Sequence, residues 1–150
     1  MNAPRLYHSE ALLLPDGRRI VHGGGRFNGI DEPTDQLSAE FFSPPYLFKG
    51  SRPVITSVIS SVPGQLSYGQ QFTVQTPDAS RIASVSLIRF GAATHAINMG
   101  QRFLPLNFTV GTGSLTVTAP ANSNLAPPGN YMLFILDTSG VPSLAAIVHF

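Results

Sequence analysis

Fourteen glycines and thirteen prolines are spread along 150 residues. They cut the chain into short runs rich in Val, Ile, Thr and Phe, each too brief for a helix. Runs of that composition between Gly and Pro clusters read as strands joined by turns. No segment sustains a 3.6-residue apolar period, so the pattern predicts an all-β chain.

The first strand pair is readable residue by residue. Ala11-Leu12-Leu13-Leu14 and Arg19-Ile20-Val21 flank Pro15-Asp16-Gly17. Proline suits an early turn position and glycine supplies a positive φ, so a hairpin is predicted. Gly23-Gly24-Gly25 ends the second strand, residues 26–37 read as a polar loop, and Glu40-Phe41-Phe42 is a further strand closed by Ser43-Pro44-Pro45. Two or three strands make a poor domain by themselves and leave open edges.

The texture changes at Arg52-Pro53. Strands are predicted over 53–60, 70–76, 82–90, 102–109, 114–119, 130–137 and 144–150. Seven short strands over about 100 residues, separated by Pro and Gly turns, are the signature of an immunoglobulin-like sandwich. Met132-Leu133-Phe134-Ile135-Leu136 is apolar on both faces and should be a central strand. Tyr131, following Pro-Gly at the start of that strand, has the position of a corner tyrosine. Without Cys or Trp, the domain is not of the antibody type. The boundary is expected near Gly50, giving a strand segment over 1–50 and a sandwich over 51–150.

Composition narrows the function. Charged residues are 11% of the chain, against a usual ~25%. The net charge is +1 and Lys49 is the only lysine. Nucleic-acid binding draws on clustered Lys and Arg, so no nucleic acid is expected as a partner. No cysteine is present, which excludes disulfides, thiolate metal sites and a cysteine nucleophile. No run approaches ~18 apolar residues, so no membrane span is expected. Asn2-Ala3-Pro4-Arg5 lacks the charged and apolar regions of a secretory leader.

Four histidines are the candidates for chemistry: His8, His22, His95 and His149. His22 and His149 fall in or at the end of apolar strands and read as hydrogen-bonded or partly exposed strand residues. His22-Gly23-Gly24-Gly25 mimics a lipase oxyanion motif, but a serine hydrolase also needs a Gly-x-Ser-x-Gly elbow, and the sequence has none. A dinucleotide fingerprint is equally incomplete. Close backbone packing at a strand end is the better reading of those glycines. Tyr7 and His8 are neighbours, which in a regular strand point to opposite faces. They reach one site only from a strand end or bulge. His95 sits among small residues after the strand ending at Phe90, where a loop on a rigid scaffold can present it. Asn107-Phe108-Thr109 matches a glycosylation acceptor, a triplet common by chance.

Longer runs carry more weight. Arg5-Leu6-Tyr7-His8-Ser9-Glu10-Ala11-Leu12-Leu13-Leu14, followed by Pro-Asp-Gly-Arg, resembles the last propeller repeat of kelch-type copper radical oxidases. Thr94-His95-Ala96-Ile97-Asn98-Met99-Gly100-Gln101-Arg102, together with the preceding Leu87 to Ala93, resembles a loop of galactose oxidase and glyoxal oxidase. Pro128 to Phe134 and Gly140-Val141-Pro142-Ser143 fit as well, so the resemblance covers almost the whole chain. It implies an all-β fold in which strands of a final β-propeller blade (1–50) precede an immunoglobulin-like early-set sandwich (51–150).

The resemblance further implies a mononuclear copper site. Tyr7 would be an axial ligand and the catalytic proton acceptor, and His8 and His95 equatorial ligands, His95 reaching out from the sandwich. Neutral imidazoles and a phenolate suit tetragonal copper(II) with an open position. The family also uses a second tyrosine cross-linked to a cysteine as an electron store. This sequence has no cysteine, and Tyr46, Tyr68 and Tyr131 lie outside the radical position, so the Tyr-Cys cofactor cannot form within it. The first expectation is therefore a fragment of an oxidase that turns alcohols or aldehydes over with dioxygen to hydrogen peroxide, inactive alone. Its partners would be the missing propeller blades and a small alcohol, aldehyde or carbohydrate, and its relatives are secreted. The alternative is a non-catalytic sandwich for binding or structure that ignores copper. A third reading is an unstable translated remnant.

Overall fold

The computed structural model describes residues 3–5, 7–25 and 36–150. Most of the polar loop expected over 26–37 lies outside them. In chain order the strands are β1 (Ser9–Leu13), β2 (Arg19–Gly23), β3 (Ala39–Phe42), β4 (Ser57–Ile59), β5 (Gln71–Gln75) and β6 (Ile82–Arg89). They continue as β7 (Ala93–Thr94), β8 (Ile97–Asn98), β9 (Phe103–Leu106), β10 (Phe108–Gly111), β11 (Ser114–Thr118), β12 (Asn130–Asp137) and β13 (Ala146–His149). Two 3-10 turns, Pro45–Phe48 and Ala79–Arg81, are the helical elements among the described residues. Among the described residues no helix is long and apolar enough to cross a membrane.

The chain divides into two compact units. One takes the described residues up to Pro44 together with Gly91–Gln101, and the other takes Pro45–Phe90 and Arg102–Phe150.

In the first unit, β1, β2 and β3 form an antiparallel sheet in sequence order. The predicted hairpin is present, with Leu13 opposite Arg19. Its turn closes with the Gly17 N–H donating to the Leu14 carbonyl at 2.9 Å, and Asp16 accepts from both the backbone N–H and the Nε of Arg18. The short hairpin β7–β8 belongs to the same unit and packs on β1.

The second unit is a sandwich of two four-stranded antiparallel sheets, ordered β10-β11-β5-β4 and β13-β12-β6-β9. Alternate residues of β5 and β11 turn inward, as period-2 patterning requires. Phe72, Val74, Leu115 and Val117 meet Val85, Leu87, Tyr131, Leu133, Ile135 and Val148 from the opposite sheet in one buried cluster. Fully burying such a side chain is worth about 1.5–3 kcal/mol. The strand predicted as central, β12, pairs on both sides and is buried from Tyr131 to Ile135. Tyr131 is fully buried and donates its hydroxyl to the Pro127 carbonyl at 2.7 Å, the corner bond expected of it.

The sandwich has eight strands rather than seven. The single strand expected over 102–109 is two, because the chain changes sheets at Asn107: β9 pairs with β6, whereas β10 pairs with β11. Pro105, which has no N–H to donate, sits on the edge strand β9, where sheets tolerate proline. The strand expected over 53–60 is shorter, at Ser57–Ile59.

Candidate functional site

Tyr7 and His8 form a turn immediately before β1. His8 has φ 61°, a left-handed conformation uncommon outside glycine. That twist lets neighbouring side chains converge, and the two ring centroids are 3.9 Å apart. Backbone contacts from the glycine run hold the turn. The Tyr7 carbonyl accepts from the Gly25 N–H at 3.1 Å, and the His8 carbonyl from the Gly24 N–H at 3.4 Å. Gly23 itself has φ 72°, and a Cβ there would collide with the His8 carbonyl oxygen. Only glycine therefore fits both the conformation and the space.

Arg5 braces this arrangement. Its side chain is buried, and Nη1 donates to the Gly23 carbonyl at 2.7 Å while Nη2 donates to Ser38 Oγ at 2.9 Å. Glu40 Oε1 lies 3.5 Å from Nη2. The Nε has no hydrogen-bond partner among the described residues. A buried guanidinium is costly unless paired, and this one is tied to two separated stretches of the first unit, at Gly23 and at Ser38–Glu40.

His95 comes from the β7–β8 hairpin. Thr94 pairs with Ile97, leaving His95 and Ala96 as a two-residue loop. Their φ angles are 52° and 67°, the pattern of a type I′ turn, whose usual occupants are Asn-Gly. His8, His95 and Ala96 are the only non-glycine residues with positive φ among those described. Left-handed conformations at ordinary residues cost about 1–3 kcal/mol each and cluster at functional sites. The base of the hairpin is fastened by Asn98, whose Oδ1 accepts from the Ala92 and Gly100 N–H groups at 3.0 and 3.1 Å. The Met99 N–H donates to the Ala92 carbonyl.

These two turns bring the three predicted site residues together. The His95 ring centroid is 4.9 Å from that of His8 and 6.1 Å from that of Tyr7. All three belong to the first unit. His8 and His95 are exposed and Tyr7 is half-buried. Thr94 Oγ1 lies 2.7 Å from His95 Nδ1, which engages that nitrogen in a hydrogen bond. No group of three or more His, Cys, Asp or Glu side chains suited to a metal occurs among the described residues. A metal here would need the phenol as its third donor. Two imidazoles and a phenol fit copper(II) by donor type, and the local strain agrees with a position kept for function.

The other two histidines stay apart from this cluster. His22 Nε2 lies 3.8 Å from Glu10 Oε2 across the β1–β2 ladder, and His149 Nδ1 lies 3.1 Å from Asn130 Oδ1. Arg5, Thr94 and Asn98 escaped the sequence reading as site residues. The Asn-Met-Gly run was a signal for the last, since Asn commonly accepts from backbone N–H groups two residues along.

The pattern of the galactose oxidase-like early set domain matches residues 52–150. A galactose oxidase of Gibberella zeae is 40% identical over 151 residues, covering 97% of this chain and 21% of its own length. An aldehyde oxidase of Arabidopsis thaliana is 37% identical, covering 94% of this chain and 25% of its own length. Among solved structures, a fungal alcohol oxidase of the AA5 family in complex with copper is 36% identical with a TM-score of 0.87. It covers 99% of this chain and 32% of its own. The chain thus spans about a fifth to a third of these relatives.

Proposed function

Because the chain belongs to the galactose oxidase-like early set family, we propose that it supplies one phenol and two imidazoles of the copper site of a larger oxidase. The observation that carries this reading is the convergence of the Tyr7, His8 and His95 rings, with both histidines held at positive φ. The relatives named above are oxidases, one of them in complex with copper, and they support it.

Copper bound there would supply one-electron redox chemistry. His8 and His95, through imidazole nitrogens, would hold it. Tyr7, as the phenolate, takes the hydroxyl proton of a primary alcohol or hydrated aldehyde, as a general base positioned by its turn. The net reaction removes two hydrogens from the substrate carbon and its oxygen and delivers them to dioxygen as hydrogen peroxide. The chain has no cysteine, so the cross-linked tyrosine that stores an electron in this family comes from outside these residues. Preceding propeller blades are the partner in this reading. Exposed Phe41 and Phe42 on β3 are in keeping with it, at 56% and 54% accessible. The isolated chain makes no peroxide.

Copper(II) titration of the chain tests the assignment. Binding with a tetragonal spectrum, weakened at least tenfold in both His8→Ala and His95→Ala, is expected. Indifference of the parent to copper, or unchanged binding in the variants, overturns it. A second reading, a binding or structural sandwich, is favoured by the complete apolar core of the second unit. It predicts cooperative unfolding that copper leaves unaltered.

A further inference from the structure

We infer that Thr94 is the positioning residue that selects the ligating nitrogen of His95. The inference rests on the copper reading for its purpose, although the hydrogen bond itself stands without metal. Thr94 Oγ1 and His95 Nδ1 are 2.7 Å apart. A neutral imidazole protonates one nitrogen, and the bond made by that nitrogen decides which one remains a lone pair. A hydroxyl can donate or accept; with Thr94 as the acceptor, Nδ1 carries the proton and Nε2 keeps the lone pair. Metal-bound histidines characteristically give their second N–H to a carboxylate, a backbone carbonyl or water, which fixes both tautomer and ring plane, and here the Thr94 hydroxyl stands in that place.

The turn explains why the partner is the preceding residue. Thr94 is the last paired residue of β7, and His95 begins the two-residue loop at φ 52°. The register Thr94–Ile97 and the Asn98 bonds at the base set the hairpin from below. Thr94 is itself exposed, so its substitution leaves no buried cavity.

The inference is tested on the metal-free chain labelled with nitrogen-15, at a pH where imidazole is neutral. Two-bond proton–nitrogen correlations report which ring nitrogen bears hydrogen. His95 should show the Nδ1–H form in the parent and in Thr94→Ser, and should move to Nε2–H in Thr94→Val. In the copper arm, Thr94→Val should weaken binding by about 10- to 100-fold, with Thr94→Ser near the parent. Pulsed electron paramagnetic resonance of the copper-loaded chain should show altered couplings of one remote imidazole nitrogen in the valine variant alone. An Nε2–H form of His95 in the parent, or a valine variant indistinguishable from it in tautomer, overturns the inference. If the tautomer result stands and the parent binds no copper, the copper reading fails while the Thr94 contact survives as a feature of the turn.

Discussion

The two units are organised on opposite principles. The sandwich is built around aliphatic side chains with no exposure at all, among them Val74, Leu87, Leu115, Leu133 and Ile135. In the strand unit the one large side chain described as buried is Arg5, a cation. The buried apolar cluster draws every member from the second unit. Non-directional burial holds the one, and a few directed bonds to Gly23, Ser38 and Asn98 hold the other. The lesson is that a fold can concentrate its stability in one region and its geometric precision in another. Directed bonds around left-handed residues fix positions more tightly than apolar packing, at a cost in free energy.

The sharpest way to break this contrast is Leu133→Ala. A cavity at a fully buried position should cost about 2–5 kcal/mol, seen as a fall in the urea midpoint by circular dichroism. A loss under 1 kcal/mol would mean that the core is not where stability resides. Next comes Gly23→Ala, which meets both a positive φ and the His8 carbonyl. It should cost about 1–3 kcal/mol locally, with copper binding weakened at least tenfold and the sandwich unfolding unchanged. Equal effects on both units would collapse the distinction.

A pH titration gives a smaller effect confined to the sandwich. The Val54 N–H, donating to Asp78 Oδ2, holds the Asp78 carboxyl below its ordinary value, with Arg81 adding to the effect. The stabilisation is complete above the ordinary value of 3.8 and is lost as pH falls through the lowered native one. Asp78→Asn should flatten that acid limb of the stability curve. Burial pushes the Tyr131 phenol up, so stability from that group falls as pH rises past its ordinary value of 10.0. The smallest effect belongs to Ala96→Gly. Relieving φ 67° should steady the hairpin by about 1 kcal/mol, read as slower hydrogen exchange at the Met99 N–H.

Much of the sandwich was legible because its signals are local. Period-2 alternation, Pro and Gly turns and the Pro-Gly-Asn-Tyr corner need no tertiary knowledge. The break at Asn107 was not legible, since a strand that changes sheets keeps the same alternation on both sides. The β7–β8 hairpin was missed for a different reason. Its turn is His-Ala where the recognisable pairs are Asn-Gly or Asp-Gly, so the local signal is absent. Tyr7 and His8 read as neighbours that meet only at a strand end or bulge, and a left-handed His8 is the device that joins them. That His95 lies beside them followed from no spacing rule and was implied by resemblance alone. Arg5 looked like any scattered arginine, because burial of a charge is decided by partners far along the chain.

The segment Gly91–Gln101 leaves β6 and re-enters at β9, where the Arg89 N–H donates to the Arg102 carbonyl at 3.0 Å. Departure and return are therefore adjacent rungs of one ladder. A stretch with ends so close is modular: it can be lengthened, shortened or exchanged while the surrounding sheet keeps its pairing. A change in the histidine-bearing hairpin is thus felt by β1 and by the turn at Tyr7 and His8, on which it packs, rather than by the β6–β9 ladder.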